Sequence, residues 1–130
     1  MATRTSLRPQ IVLSAGDMST NLTSIPTILA SLSMCSYSLS WAGSTPVGSV
    51  SIQCSNDFSL NPDGTVNNLG TWSVMTVQLA GVPVSVIPIT GNTGTGFIDI
   101  TETAAYAIRL IFTKGSGTGN LSVTFNGKVA

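Results

Sequence analysis

The chain has 130 residues, of which 5 are Lys or Arg, 5 are Asp or Glu and none is His, so the formal net charge is zero and only 8% of residues are charged. Ordinary soluble proteins carry roughly 25% charged residues, and the basic patch of a nucleic-acid-binding protein is absent from this balance. The length fits one domain. Because a weakly charged surface favours association, we expect a subunit covered by neighbours rather than a free monomer.

The sequence has no long apolar segment, and its first residues are polar. No segment reaches the ~20 consecutive apolar residues of a membrane-spanning helix, so a membrane is not an expected partner. The first nine residues are polar, and no apolar run follows them as in a secretory signal. We predict a flexible N-terminal arm over residues 1–9, ordered only by a neighbouring subunit, and a single β domain over residues 10–130.

Alternation of apolar and polar residues with a period of two dominates the chain, and helical periodicity is almost absent. The clearest early strands are 34-MCSYSLSW-41 and 48-GSVSIQC-54, separated by turn-forming residues. They predict a hairpin in which Trp41 faces Gly48 and every other large residue meets an apolar partner. A one-residue slip would turn the apolar face outward.

Residues 55–70 form a long polar segment between two strands. Pro62, Asp63 and Gly64 predict a tight turn, and Asp57 and Asp63 are expected to accept hydrogen bonds from their local backbone. Phe58 is the one aromatic residue in this loop, and we expect it to be at least partly exposed. We interpret the segment as a connector whose tip, with Phe58 and Asp63 as candidate contact residues, touches a neighbouring subunit.

The C-terminal segment repeats the early pattern. The strands 105–113 and 120–128 alternate, and the glycine-rich residues 114–119 between them predict a second hairpin. In that hairpin Phe112 would face Leu121. The weaker predicted strands are 10–14, 22–30, 71–79, 82–89 and 97–101, and one helical turn is predicted over 101–106, capped by Thr101.

These elements predict an all-β fold of about eight or nine short strands, an antiparallel β-sandwich of jelly-roll type, with a two-sheet barrel as the alternative. Prolines cannot donate to a strand ladder, so strands that contain them are expected at edges or bulges. The prolines concerned are Pro26, Pro83 and Pro88.

We assign structural roles to three large side chains. Trp41 and Trp72 lie within strand patterns and are assigned to the core, because burying a large aromatic contributes roughly 2–3 kcal/mol. Arg109 projects from the polar face of an apolar strand, where we expect an ion pair with Asp99 or Glu102 rather than a ligand contact.

Catalytic chemistry has few candidate residues. Without histidine, Ser–His–Asp and Cys–His arrangements are excluded, and the acids form no recognisable paired-carboxylate motif. Asp57, Asn61, Asp63 and Gly64 are close in sequence but lack EF-hand spacing. We therefore expect no enzyme activity, no metal and no cofactor.

The chain has two cysteines, Cys35 and Cys54. The predicted first hairpin places them directly opposite each other, but opposed pairs often have poor dihedral angles for a disulfide. We expect two neighbouring reduced thiols that behave as small buried hydrophobic residues.

Several motifs occur in a fixed order along the chain: 55-SNDFS-59, 70-GTW-72, 106-YAIRLIFT-113 and 115-GSGTGNLSVTFNGK-128. Their pattern is S-x-D…W…YxxR…GTGxL, and it covers about two thirds of the chain. It resembles a group of short phage-encoded β proteins associated with virions. A looser likeness is to discoidin-type carbohydrate-binding sandwiches, whose terminal cysteines and basic ligand-loop residues have no evident counterpart here.

The phage resemblance implies a non-enzymatic structural protein of a bacteriophage virion: a capsid, vertex, decoration or tail component. Its partners would be copies of itself and other virion proteins, and its location the virion. The alternative hypothesis is an extracellular module that binds carbohydrate or another host-surface ligand through loops at one end of the sandwich.

Overall fold

The computed structural model describes residues 9–29, 32, 34–79, 81–100 and 104–128, and within these ranges it contains β-strands and no helix. The all-β prediction is confirmed. Residues 1–8 of the predicted arm and residues 101–103 of the predicted helical turn lie outside the described residues, and 104–106 belong to no helix or strand. The strands are β1 (Gln10–Asp17), β2 (Leu22–Thr23), β3 (Thr27–Ile28), β4 (Met34–Ser55), β5 (Ser59–Leu60), β6 (Val66–Asn68), β7 (Ser73–Met75), β8 (Val77–Leu79), β9 (Val82–Val84), β10 (Ile87–Ile89), β11 (Thr93–Ile100) and β12 (Ala107–Lys128).

Two strands are far longer than predicted. β4 and β12 have 22 residues each, and they pair antiparallel along their whole length. Ser55 pairs with Ala107 at one end of this ribbon, and Met34 pairs with Lys128 at the other. Both predicted hairpins are therefore wrong, because each supposed hairpin is one continuous strand whose partner is the other.

The two supposed turns run beside each other in the middle of the ribbon. Within 42–47 and 114–119 the ladder is irregular: Ser44 pairs with Thr118 and Val47 with Ser116, while the residues between them are skipped. The backbone of Thr45 has a φ of 48° here. These segments bend the ribbon rather than reversing the chain.

Glycine permits this bend by removing side chains where the two backbones meet. A Cβ built on Gly117 would overlap the carbonyl oxygen of Thr45, and one built on Gly43 would overlap that of Thr118. Gly117 also has a φ of 77°, in the region that favours glycine. The glycine-rich composition predicts a turn, but the glycines instead allow a close approach between strands.

The bend divides the ribbon between two sheets. The front sheet consists of β1, residues 120–128 of β12, residues 34–42 of β4, β11, β8 and β9. The back sheet consists of β2 and β3, residues 107–114 of β12, residues 48–55 of β4, β7 and β10.

Side chains from both sheets belong to one hydrophobic core. Tyr37 and Phe125 of the front sheet are fully buried, with their rings edge to face at 5.4 Å, and Ile52 and Phe112 of the back sheet are fully buried too. Trp41 packs against this core without being fully buried. The β-sandwich prediction therefore holds, although the strands are connected differently.

The observed pairing of β4 with β12 also changes the prediction for the two cysteines. Cys35 pairs with Gly127 and Ile100, and Cys54 pairs with Ile108 and Ser73, so the two are not opposed across a hairpin. Both are free thiols. Burial raises the pKa of the Cys35 thiol to about 11, as expected for a cysteine that packs rather than reacts.

The proline predictions hold for two strands. β9, which contains Pro83, ends the front sheet, and β10, which contains Pro88, pairs with β4 alone. Pro26 lies between β2 and β3.

Gly117→Ala is expected to lower the free energy of unfolding by roughly 2–5 kcal/mol, since it adds left-handed backbone strain of about 1–2 kcal/mol and an overlap of about 1–3 kcal/mol. Gly64→Ala is the matched control, because Gly64 has a φ of 89° and nothing within 4 Å of a new Cβ. Gly64→Ala should lower the free energy of unfolding by the backbone-strain contribution alone, about 1–2 kcal/mol. Equal losses in chemical denaturation would contradict the bent ribbon and favour an open turn at 114–119.

Candidate functional site

The long loop between β4 and β7 is closed at its base by three residues, which we call the loop-base cluster: Ser55, Asp57 and Thr71. Oδ1 of Asp57 accepts hydrogen bonds from the Ser55 hydroxyl at 2.8 Å and from the Thr71 backbone N–H at 2.6 Å. The Ser55 hydroxyl oxygen accepts from the backbone N–H of Phe58 at 3.2 Å. Asp57 therefore joins the two ends of the loop and does not form the purely local turn predicted for it.

The tip of this loop is a small hairpin, β5–β6, with an exposed turn. Asp63 Oδ1 accepts from the backbone N–H and the hydroxyl of Thr65 at 3.0 and 2.6 Å, and Gly64 N–H donates to Asn61 O at 2.9 Å. The tight turn and the local hydrogen bonds of Asp63 are confirmed. Residues 60–69 are exposed throughout, including the apolar side chains of Leu60 (43%), Val66 (48%) and Leu69 (78%).

Phe58 and Trp72 have the opposite burial to that predicted. Phe58 is only 4% exposed, because the loop folds back over it, so its assignment as an exposed contact residue is wrong. Trp72 precedes β7, is half-buried and lies outside the main core, so its assignment to a core strand is also wrong. The two rings touch, with centroids 5.6 Å apart.

Arg109 lies on the outer side of this aromatic pair. Its guanidinium sits 4.2 Å from the ring centroid of Trp72, and its Nε donates to Gln53 Oε1 at 2.9 Å. Partial burial lowers the pKa of Arg109, although a guanidinium stays charged at any ordinary pH. The predicted ion pair with Asp99 is not formed, and Glu102 lies outside the described residues.

These contacts bring together the phage-like motif residues other than GTGxL, which lies in and beside the ribbon bend. The S-x-D residues, the W residue and the R residue form one connected group of hydrogen bonds and ring contacts. The next motif position, Tyr106, is linked to it through its backbone N–H, which donates to Asn56 Oδ1 at 3.0 Å. The motif therefore closes a loop and fastens it to the back sheet, and its side chains are largely occupied with one another.

A groove of about 560 Å³ opens beside this group. Its lining includes the polar residues Ser55, Asn56, Asp57, Thr71 and Ser73 and the apolar residues Cys54, Ala104 and Ala105. The backbone N–H of Thr71, followed by the Ser55 hydroxyl, holds the pKa of Asp57 below its usual range. Among the described residues, no group of three or more His, Cys, Asp or Glu side chains is placed to hold a metal ion. This groove therefore offers a hydrogen-bonding surface around one carboxylate.

A second groove, of about 390 Å³, lies on the outer face of the front sheet. We call it the Phe97 groove. Its polar lining side chains are Ser36, Ser38, Asp99, Asn126 and Lys128, and its apolar ones are Met34, Cys35, Phe97 and Ile100. Phe97 is 53% exposed, whereas Ile98 and Ile100 on the same strand are buried. The alternation in 97-FIDI-100 could have revealed this, because it places Phe97 and Asp99 on the face opposite the two isoleucines.

The outer face around the Phe97 groove is rich in hydroxyl groups. Ser38 pairs with Phe97 on one side and Thr124 on the other, and Ser40 pairs with Thr95 and Ser122. Neighbouring strands lie about 4.8 Å apart, so these side chains form a regular, uncharged array. The alternation in 34–41 predicts a polar face on that strand, but it does not identify the strands that lie beside it.

Comparisons with known proteins identify the fold. The crystal structure of the SPBc2 prophage-derived protein YomS is similar to this chain with a TM-score of 0.66, covering 98% of this chain and 96% of that one at 8% sequence identity. No family model matches the chain, and no curated protein matches it. Within the described residues, no helix is long and apolar enough to cross a membrane.

Phe58→Ala is expected to cost roughly 3–5 kcal/mol of unfolding free energy, as for other buried phenylalanines. Trp72→Ala should cost only roughly 1–2 kcal/mol, because it removes a half-buried ring, one cation–π contact and an exposed hydrogen bond from the indole N–H to Leu69 O. Urea denaturation of both variants measures the difference. A larger loss for Trp72→Ala would restore the prediction that Trp72 is the core residue.

Asp57→Ala should lower the melting temperature more than Asp63→Ala, because Asp57 joins residues 14 positions apart whereas Asp63 bonds only within its own turn. The folded-state pKa of Asp57 is lowered, so its stabilisation is present above the ordinary carboxyl pKa and is lost as the pH falls through the lowered value. The melting temperature of Asp57→Ala should therefore fall less than that of the wild type below about pH 5. Identical pH profiles would contradict the role of Asp57.

Proposed function

We propose that this chain is a non-enzymatic structural protein of a bacteriophage particle that acts by assembling with copies of itself and with other particle proteins. The observation that carries the proposal is a surface with few charges and several exposed apolar side chains. Only 10 of 130 residues are Asp, Glu, Lys or Arg, and such a surface does little to keep copies apart. The fold likeness to a prophage-derived protein supports a phage origin.

The loop tip is the surface best suited to contact a neighbour. Leu60, Val66 and Leu69 expose apolar side chains on one small hairpin, where Asp63 is the only charged residue. Asp63 is engaged with Thr65, so its carboxylate is already partly compensated. Apolar side chains gathered on an uncharged projection are typical of contacts between proteins.

The edges of the front sheet supply a second kind of contact. β1 contains one charged residue, Asp17, and β9 contains none. Natural edge strands commonly carry lysine or inward-pointing charges that prevent pairing with other chains. In this protein, Pro83 in β9 and the irregular register of β1 hinder such pairing instead. Packing against neighbours in a closed assembly would cover both edges.

Multi-angle light scattering of the purified protein tests the proposal, together with mass spectrometry of purified phage particles. We expect masses that are multiples of 13.4 kDa and the chain itself among the particle proteins. Leu69→Lys should shift the distribution towards the monomer, because it places a charge in the proposed contact. Val47→Lys is the control, since Val47 is also exposed (38%) but lies in the bend of the ribbon.

A stable monomer at high concentration, together with absence of the chain from particles, would refute the proposal. An oligomer that is equally unaffected by Leu69→Lys and Val47→Lys would keep assembly but exclude the loop tip as its interface.

A further inference from the structure

We propose that the Phe97 groove is a binding site for a neutral saccharide, with the Phe97 ring stacked against the apolar face of a sugar ring and the surrounding polar side chains bound to its hydroxyl groups. This site lies on the outer face of the front sheet, where the first residues of β4 meet the last residues of β11 and β12. The inference goes beyond the assembly proposal and does not depend on it.

The position of Phe97 is the first argument. A phenylalanine on an interior strand, between β4 and β8, gains most by facing the core, yet Phe97 faces outward and is 53% exposed. Phe97 pairs with Ser38 of β4, and the next two residues of its strand pair with β8 on the other side, so the ring is presented on a rigid surface. Such presentation favours stacking, because little conformational freedom is lost when a ligand binds.

The side chains around the ring are the second argument. Ser38 lies directly across from Phe97, and Ser36 lies across from both Asp99 and Asn126. The serines and Asp99 offer hydroxyl and carboxylate groups within one or two strand spacings of the ring, each spacing being about 4.8 Å. A carboxylate accepts from two hydroxyls at once, and a hydroxyl both donates and accepts, which matches the alternating donors and acceptors of a sugar.

Charge limits the class of ligand. Asp99 and Lys128 are the charged residues of the groove, and their signs cancel. A phosphorylated or strongly acidic ligand would find one cation and one anion, so the groove offers such a ligand no net attraction. A neutral, hydroxyl-rich ligand does not need a net charge in the groove in order to bind.

The exposed apolar side chains also bear on whether the ligand is a sugar or another protein. Among the described residues, the neighbours of Phe97 on this face, Ser38, Thr95 and Asp99, are polar, and the other apolar side chains that line the groove are Met34, Cys35 and Ile100. Cys35 and Ile100 are buried, so Phe97 and Met34 are the large apolar side chains that the groove exposes. Protein interfaces place several apolar anchors together in a desolvated centre, whereas this groove exposes two. The groove volume of about 390 Å³ lies in the lower part of the ~300–1,000 Å³ range of small-molecule sites.

The test is a printed array of defined neutral oligosaccharides containing glucose, galactose, mannose, rhamnose and N-acetylhexosamines, followed by titration calorimetry with the array oligosaccharide that binds best. Phe97→Thr keeps a strand-forming residue and removes the ring, and Asp99→Asn removes the carboxylate while keeping its shape. We expect Phe97→Thr to weaken binding by about tenfold or more, the scale on which loss of a single anchor acts, and Asp99→Asn to weaken it as well. Tyr106→Thr, at an aromatic residue that is 43% exposed but outside the groove, should leave the affinity unchanged.

Three results would overturn the inference. The first is no binding by the wild type to any oligosaccharide on the array, and the second is binding that Phe97→Thr leaves intact while circular dichroism shows the variant folded. The third is a loss of self-association in Phe97→Thr without any saccharide binding by the wild type, which would make this face an interface between copies. None of these results bears on whether Leu69→Lys disrupts assembly, so the two proposals fail separately.

Discussion

The pairing of β4 with β12 through a shared bend is the constraint on which the rest of the structure depends. Each strand contributes half of its length to each sheet, so the ribbon serves both layers and holds one core between them. β1, β2 and β3 add to the β12 side, and β7, β10 and β11 add to the β4 side. The bend requires the two backbones to approach within the space that Gly43 and Gly117 leave open.

The sequence predicted which faces are buried better than it predicted which strands are partners. Leu39 is buried as expected, but it pairs with Val123 and Gly96 rather than with Val50. Alternation specifies the face of a strand and is satisfied equally by a local hairpin and by a distant partner. Glycine-rich segments add to the ambiguity, because close approach and chain reversal favour the same residue type.

The candidate site was predictable only where the chemistry is local. Asp63 forms the turn expected from Pro62, Asp63 and Gly64, because those hydrogen bonds span two to four residues. The exchange of roles between Phe58 and Trp72 depends on how a loop closes over the back sheet, which requires contacts 14 or more residues apart. Phe97 was missed because an aromatic residue in a strand is normally assigned to the core, although its neighbours Ile98 and Ile100 already occupied the buried face.

The loop tip and the Phe97 groove have different surface chemistry, and this difference makes the two proposals compatible. The tip exposes several apolar side chains and is suited to another protein, whereas the groove exposes one aromatic ring and Met34 beside polar groups. An open groove with a single aromatic anchor would bind a saccharide weakly on its own. A particle that repeats the subunit would present many such grooves at once, and simultaneous contacts raise avidity by about 10²–10⁴ without any new interaction, provided that the geometry allows them. Assembly through the tip would then supply the affinity that a single groove lacks.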